Sequence, residues 1–335
     1  MRALILAGGF ATRLGPIGEA MPKAMITVEG DTVLGHILRK LEKLGVEPLI
    51  TTNKRFEPFF RGYPNVLIEE ATREEEKLGA VSAIANAIER AGIEDDLLVI
   101  CVDNYFSSDL KGFISSYTGE PLVGIYYVGE HPDMRAEEMA TVKFEGSERY
   151  PPPSRSFYIQ DFREKVKPPI SQYVSTGIYV LPKRVFPILR SYCAAKKQDA
   201  PGFFIQHLLQ LGERMKGYLL EGEWYDVSHK SYLQTFREAK LVKNDRDAIR
   251  CERDLGGAML LSLTILHAGC VHVIQGGDRV CFFVDGEGEM KVGEKIRRVR
   301  GKDVIEIESG TRAEIRNASG RDLIFVSVGT KGKTP

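Results

Sequence analysis

Hydrophobic and polar positions along this chain change period twice. Leu4 to Ala7 is a short apolar run that breaks at Gly8-Gly9, the pattern of a buried strand entering a turn. Asp31-Thr32 can cap a helix whose apolar positions, Leu34, Ile37, Leu38, Leu41 and Leu44, recur at helical spacing and stop at Gly45. Residues 48–52 predict a second strand. Residues 74–91 predict a second helix, with Ala80, Ile84, Ala87 and Ile88 on one side and Gly92 as its stop. Residues 97–102 are apolar throughout, as in a strand covered on both faces. A short helix over 109–117 and a strand over 122–128 follow. This alternation predicts an α/β fold: a mostly parallel, Rossmann-like sheet with helices on both faces. Ligands bind such sheets outside the carboxyl ends of the strands. The Gly8-Gly9 turn and Asp103 both fall at such ends.

The middle of the chain is less regular. Three prolines at 151–153 make residues 150–153 a loop. Strands are predicted over 157–162 and 173–181, helices over 185–196, 202–215 and 231–242. Residues 243–254 are dense in charge and read as a linker. Beyond Gly256 the texture changes: strand-like runs over 259–266, 280–284, 304–307, 312–316 and 323–328 are separated by Gly and Asp turns. Short strands at that spacing predict a small all-β sandwich or barrel. The organisation expected is therefore an α/β domain over 1–242, a linker over 243–254 and a β-barrel over 255–335.

Composition narrows the functional classes. The 335 residues suffice for two domains. Lysine plus arginine equals aspartate plus glutamate at 46 each, which argues against a general nucleic-acid or membrane-surface binder. The N-terminus enters the first strand directly, without the pattern of a signal peptide, so a cytoplasmic protein is expected. The five cysteines include no C-x-x-C; Cys101, Cys251, Cys270 and Cys281 sit in or near apolar runs as small core residues. Scarce Asn and Gln beside abundant Lys, Arg and Glu point to a thermophilic source.

The candidate chemistry begins at the first turn. Glycines after a strand let backbone N–H groups approach a phosphate closely, and Arg13 and Lys23 offer fixed positive charge to the same anion. Neither a G-x-x-x-x-G-K-[ST] nor a G-x-G-x-x-G pattern is present. The string RALILAGGFATRLGPIGEAMPKAM instead resembles the signature of the sugar-1-phosphate nucleotidylyltransferases, with glucose-1-phosphate thymidylyltransferases the nearest branch. It departs from that signature at Ala11, where a glycine is usual, and at Gly18, where threonine is common. Two further segments carry the resemblance in order along the chain. Val102-Asp103-Asn104 stands for a G-D-N, and Trp224-Tyr225-Asp226-Val227-Ser228 for a W-x-D-x-G, with Ser228 in place of the glycine. Phe162-Arg163-Glu164-Lys165 resembles an F-x-E-K-P segment, with Val166 replacing the proline.

The resemblance, over about residues 1–240, implies a division of roles. Leu6, Ala7, Gly8, Gly9, Thr12, Arg13 and Gly79 would bind the nucleotide. Arg13, Lys23 and Asp103 would be catalytic, and Asp103 with Asp226 would hold Mg²⁺. Glu164 would meet sugar hydroxyls, Lys165 the sugar phosphate, and Gly177 would let the hexose lie against backbone. The residues alone also admit Trp224 as a core aromatic, Asp226 as a helix cap near Lys230 and Lys165 as part of a solvated charge run. The 199–204 segment, from Asp199 to Phe204, resembles one branch of the family without an evident role.

The β-rich end resembles a cupin at residues 283–289 and 309–317. His267 and His272 stand five apart, Ile274 occupies a position where a second ligand would be needed, and no histidine follows His272. No metal is expected there. The implied function is Mg²⁺-dependent synthesis of an NDP-sugar from an NTP and a hexose-1-phosphate, glucose-1-phosphate with dTTP or UTP being favoured. Mannose-1-phosphate guanylyltransferase, an inactive nucleotide-sugar-binding regulator and a bifunctional enzyme are the alternatives. Expected partners are the NTP and the sugar-1-phosphate, with no nucleic acid and no membrane. The β-rich module is expected to do no chemistry and to mediate homo-oligomerisation.

Overall fold

The computed structural model describes residues 1–131, 134–145, 154–195, 199–227, 233, 239–257 and 259–330. The loop expected at 150–153, Ser228 and most of the helix expected over 231–242 lie outside them. The chain forms two compact units: Met1–Gly9 with Leu34–Val227, and Phe10–Val33 with Ser228–Pro335. Among the described residues no helix is long and apolar enough to cross a membrane, and all five cysteines are free.

The first unit is built on a nine-stranded sheet. Val66–Glu69, Pro48–Asn53, Arg2–Leu6 and Leu97–Cys101 lie side by side and parallel, with Leu6 opposite Cys101. These strands are apolar because helices cover them. Val81, Ile84 and Ile88 from the helix Ala80–Arg90 share one core with Leu189 and Tyr192 of Phe186–Ala195, Phe204 and Leu208 of Pro201–Gln210, and Leu4, Leu97 and Val99 of the sheet. The sheet is mixed beyond its parallel half. Tyr173–Leu181 enters from the opposite direction and runs antiparallel to both Leu97–Cys101 and Leu122–Tyr127. Lys216–Leu219, Ser156–Glu164 and Ala140–Phe144 complete it.

The second unit is a two-sheet β-sandwich. Six antiparallel strands run in the order Lys240–Asn244, Ala248–Gly256, Met259–Leu266, Leu323–Thr330, Arg279–Asp285, Val304–Ile307. Four more, Val271–Ile274, Ala313–Arg316, Glu287–Val292 and Lys295–Arg300, form the second sheet. Residues of alternate parity meet between the sheets: Leu266, Phe283, Leu323 and Phe325 from one, Ile274, Met290, Val299 and Ile315 from the other.

Phe10–Val33 belongs to this unit. It consists of the 3₁₀ turn Thr12–Leu14, the short helix Pro16–Ala20, the 3₁₀ turn Lys23–Met25 and a ladder between Thr27–Val28 and Asp31–Thr32. Ile17, Met21, Met25 and Ile26 line a small cavity together with Ile265 and Ile324 of the six-stranded sheet. The outward-facing Ile249, Cys251, Leu263, Ile265 and Ile324 of that sheet are all buried. The Gly30 N–H donates to Asp285 Oδ2 at 3.3 Å.

Three local expectations are corrected. Residues 74–91 are not one helix: Glu74–Glu76 is a 3₁₀ turn and the α-helix begins at Ala80, because Gly79 sits at φ 86°, outside the helical region. Asp31-Thr32 forms the return strand of the short ladder instead of a cap, and the next helix is Val33–Lys43. The stretch expected as a linker, 243–254, lies mostly in two paired strands. Its charge density comes from the hairpin turn, where Asp245 Oδ1 accepts the N–H groups of Asp247 and Ala248 at 2.9 and 3.2 Å.

Candidate active site

Four residues terminate the parallel strands of the first unit at one edge. Gly8 follows Arg2–Leu6, Asn53 ends its strand, Glu69 ends the next, and Asp103 follows Leu97–Cys101. This is the edge at which a sheet of this kind receives its ligand. Asn53 is buried and its Nδ2 donates to the Gly8 carbonyl at 3.0 Å, fixing the turn. A Cβ on Gly8 would come within 3.3 Å of Glu69 Oε1, whereas Gly9 faces open space. Burial pushes the Glu69 carboxyl above the usual range, opposed by a hydrogen bond from the Leu78 backbone.

Gly79 lies beside this group. The Ala80 N–H donates to Asp199 Oδ1 at 2.6 Å, and Lys77 Nζ pairs with Asp199 Oδ2 at 2.9 Å. Asp199 therefore caps the helix Ala80–Arg90 from across the chain. A Cβ on Gly79 would meet Asp199 Oδ1 at 2.6 Å, so side chains are excluded there on both conformational and steric grounds.

The segments carrying the two aspartates expected at the metal, Asp103 and Asp226, are joined by a ladder that the sequence did not announce. Asn104–Phe106 pairs antiparallel with Trp224–Asp226, placing Asp226 opposite Asn104. The Val227 N–H donates to the Asp103 carbonyl at 2.9 Å. Asn104 Nδ2 donates to Asp103 Oδ1 at 2.8 Å, orienting that carboxylate. Trp224 is buried and packs on Tyr126 at 5.5 Å between ring centroids, so it is a core aromatic that anchors the ladder. Gly177 stands behind the Asp103 turn: a Cβ there would come within 2.9 Å of Asn104 Nδ2 and 3.0 Å of Cys101 Cβ. Its absence of a side chain is required by the turn itself.

Glu164 ends the strand Ser156–Glu164, with its N–H donating to Gln206 Oε1 at 3.1 Å. Its side chain is 7% exposed and its carboxylate lies 3.6 Å from Lys165 Nζ, which reaches solvent. Burial raises the Glu164 carboxyl, and Lys165 opposes the shift. Tyr179 is fully buried; its hydroxyl accepts from Ser175 Oγ at 3.0 Å, and burial keeps it far from ionising. The charges of Glu164 and Asp103 add to that shift.

Thr12 and Arg13 are exposed on the turn after Ala11, and Lys23 is half-buried at the start of Lys23–Met25. All three belong to the second unit. Ala11 adopts φ 56°, and a Cβ on Gly18 would come within 2.1 Å of the Ala11 carbonyl oxygen. The two departures from the signature are thus one feature: Gly18 makes room for the Ala11 peptide.

Residues 2–240 match the nucleotidyl transferase family. The chain belongs to that family. Within this family, the chain is 27% identical over 233 residues to the bifunctional protein GlmU of Methanocaldococcus jannaschii, covering 68% of this chain and 51% of that protein. It is 27% identical over 196 residues to the UTP–glucose-1-phosphate uridylyltransferase AglF of Haloferax volcanii, covering 56% of this chain and 74% of that protein. The chain spans about half the length of the GlmU proteins it matches. A putative glucose-1-phosphate thymidylyltransferase from Bacillus anthracis shares the fold, with a TM-score of 0.54 at 22% identity over 73% of this chain and 98% of that one. A UDP-glucose pyrophosphorylase complexed with UDP-glucose shares it too, with a TM-score of 0.54 at 17% identity over 70% and 95% of the two chains. Sequence reasoning missed Asn53, Glu69 and Tyr179 and gave Asp199 no role. Asn53 and Glu69 each close a short apolar run, and that was the available signal.

Proposed function

We propose that this nucleotidyl transferase is a sugar-1-phosphate nucleotidylyltransferase: a hexose-1-phosphate oxygen attacks the α-phosphorus of an NTP, and pyrophosphate leaves. The observation that carries the reading is the Asn104–Phe106 ladder with Trp224–Asp226, which sets Asp226 beside the Asp103 turn at the edge that also bears Gly8-Gly9. Two carboxylates, one held by an Asn amide, form a hard-oxygen donor set that fits Mg²⁺. Asp103 and Asp226 would hold that ion, which supplies charge neutralisation on the triphosphate.

The remaining roles follow from charge. A sugar phosphate is already an anion at neutral pH, so its oxygen needs no general base; alignment and neutralisation are what the protein contributes. Backbone N–H groups of Gly8 and Gly9 cradle phosphate; Leu6 and Ala7 lead into that turn, with the Ala7 N–H held by the Thr51 carbonyl at 2.8 Å, and Thr12 follows it along the chain. Arg13 neutralises the departing pyrophosphate, Lys23 bridges phosphates, and Gly79 faces the base. Lys165 grips the sugar phosphate; Glu164, whose carboxylate is buried beside it, meets the sugar hydroxyls. Glucose-1-phosphate with UTP or dTTP is the favoured pair, supported by the names of the relatives. A screen of pyrophosphate release for each NTP against a panel of sugar-1-phosphates tests the reading. Turnover with at least one hexose-1-phosphate, lost in Asp103→Asn, is expected; no turnover with any pair overturns it.

A further inference from the structure

The interior of the β-sandwich changes character from one end to the other. Each strand of the six-stranded sheet sends alternate residues inward. At one end these are Ala248, Leu266, Leu323, Phe283 and Phe325, all part of the apolar core. Continuing along the same faces, Ala248 is followed by Arg250 and Glu252, Leu266 by Thr264 and Ser262, and Phe325 by Ser327. Phe283 is preceded by Cys281 and Arg279. The pairing keeps these polar positions in adjacent rows: Arg250 opposite Thr264, which faces Phe325, and Glu252 opposite Ser262, which faces Ser327. From the other sheet, His272 shares the inward face with Ile274, and its ring lies 5.6 Å from that of Phe325.

Such a polar end within a module of this size is costly unless something uses it. Ser262 is 2% exposed, and its Oγ has no hydrogen-bond partner. A buried hydroxyl left unpaired costs about 1–3 kcal/mol. Arg250 Nε lies 3.3 Å from Glu252 Oε1 but outside hydrogen-bonding geometry, so it is a second unpaired donor. Arg279 Nη1 donates to Ser327 Oγ at 3.2 Å. Burial and the Arg250 charge hold His272 down to about 4, so a neutral imidazole completes the group at neutral pH. Two guanidinium groups against one carboxylate leave the cluster net positive. Lys243 adds to the field, although its ammonium is engaged near Asp245 and Asp247 at 3.5 and 3.9 Å.

We propose that this polar end of the sandwich, formed by Arg250, Ser262, His272, Arg279 and Ser327, binds a small organic anion through its phosphate or carboxylate group. The guanidinium pair supplies the charge and fork geometry for either group, Ser262 Oγ a neutral donor, and Phe325 an apolar wall. The site involves no residue of the proposed transferase centre.

The test uses the full chain with inorganic phosphate and with succinate as separate probes, read by hydrogen exchange and calorimetric titration. Binding of at least one probe is expected, with protection in 248–264, 271–285 and 323–330. Phosphate alone marks a phosphate ester as the ligand class, succinate alone a carboxylate. Arg279→Gln should weaken that binding at least tenfold and remove the protection in 248–264, 271–285 and 323–330. Ser262→Ala separates a ligand role from a structural one: it should raise the Tm of the free protein, because an unpaired buried hydroxyl is removed, and weaken the probe. A lowered Tm, no binding of either probe, or protection confined to residues 1–227 overturns the proposal.

Discussion

Residue by residue, the strongest signals in the sequence were those fixed by local chain geometry. Asp103 closes an apolar strand, and its carboxylate is held by the next residue at 2.8 Å. Asp103→Asn should therefore lower kcat at least a hundredfold at saturating Mg²⁺ without changing the far-UV circular dichroism, and near-normal turnover would remove the metal assignment. Lys165 and Arg13 were assigned to opposite halves of the reaction. Lys165→Ala should raise the KM for sugar phosphate about tenfold or more, whereas Arg13→Ala should act mainly on kcat; steady-state kinetics with each substrate varied in turn distinguishes them. Ala11 and Gly18 looked like separate departures from a signature, but the Ala11 carbonyl occupies the space a Gly18 side chain would need. Gly18→Thr should displace the turn that carries Arg13 and reduce kcat severely. Ala11→Gly relieves a left-handed alanine worth about 1 kcal/mol and should leave turnover near normal. What sequence could not supply were partners distant along the chain, such as Asp199 at the Ala80 N–H, 119 residues away.

At the level of elements, period served well where burial was one-sided or complete and failed where tertiary pairing decided. The apolar strands at 2–6 and 97–101 and the helix beginning at Val33 were legible, because their patterns have one reading. The Asn104–Phe106 ladder was not, since three residues carry no period and their pairing partner lies about 120 residues on. Nor was the charged hairpin at 243–254, where the turn's acids masked two strands. The sandwich unit carries two histidines with opposite titration behaviour, His267 just after Met259–Leu266 and His272 within Val271–Ile274. Asp322, 3.0 Å from His267, raises the His267 pKa, so that pair stabilises fully below the unfolded value and is lost as pH rises through the folded one. His272 is held down to about 4, chiefly by burial; acid below about 6.5 therefore favours the unfolded chain, which protonates first. Between pH 6.5 and 4 this term can reach about 3 kcal/mol. His272→Gln should flatten the fall in Tm of the sandwich over that range, as followed by scanning calorimetry. An unchanged acid slope would show that other groups control it.

For the molecule as a whole, the chain's path matters more than its domain count. It passes between the two compact units at Gly9–Phe10, Val33–Leu34 and Val227–Ser228, so the segment bearing Arg13 and Lys23 is an integral part of the sandwich unit. If the β-rich module did no chemistry and only mediated self-association, as the sequence predicts, a chain ending near Val242 would keep its transferase activity. The packing changes that expectation. Ile17, Met21 and Ile26 are buried, and they share a cavity wall with Ile265 and Ile324 of the six-stranded sheet. Without those strands the segment would expose several large apolar side chains, each worth about 1.5–3 kcal/mol of burial. Truncation near Val242 should consequently abolish turnover by loosening the segment that carries Arg13 and Lys23, although the removed strands bear none of the proposed transferase residues. Truncation can also fail by misfolding, so the sharper test keeps the chain whole. Ile265→Ala and Ile324→Ala, each costing about 2–5 kcal/mol locally, should speed hydrogen exchange across residues 10–33 and lower kcat. Exchange across 97–106, around Asp103, should stay unchanged. Normal kcat alongside loosened 10–33 amides would mean that the turn carrying Arg13 needs no support from the sheet, and the β-rich module would then have to be explained by self-association or by its own ligand.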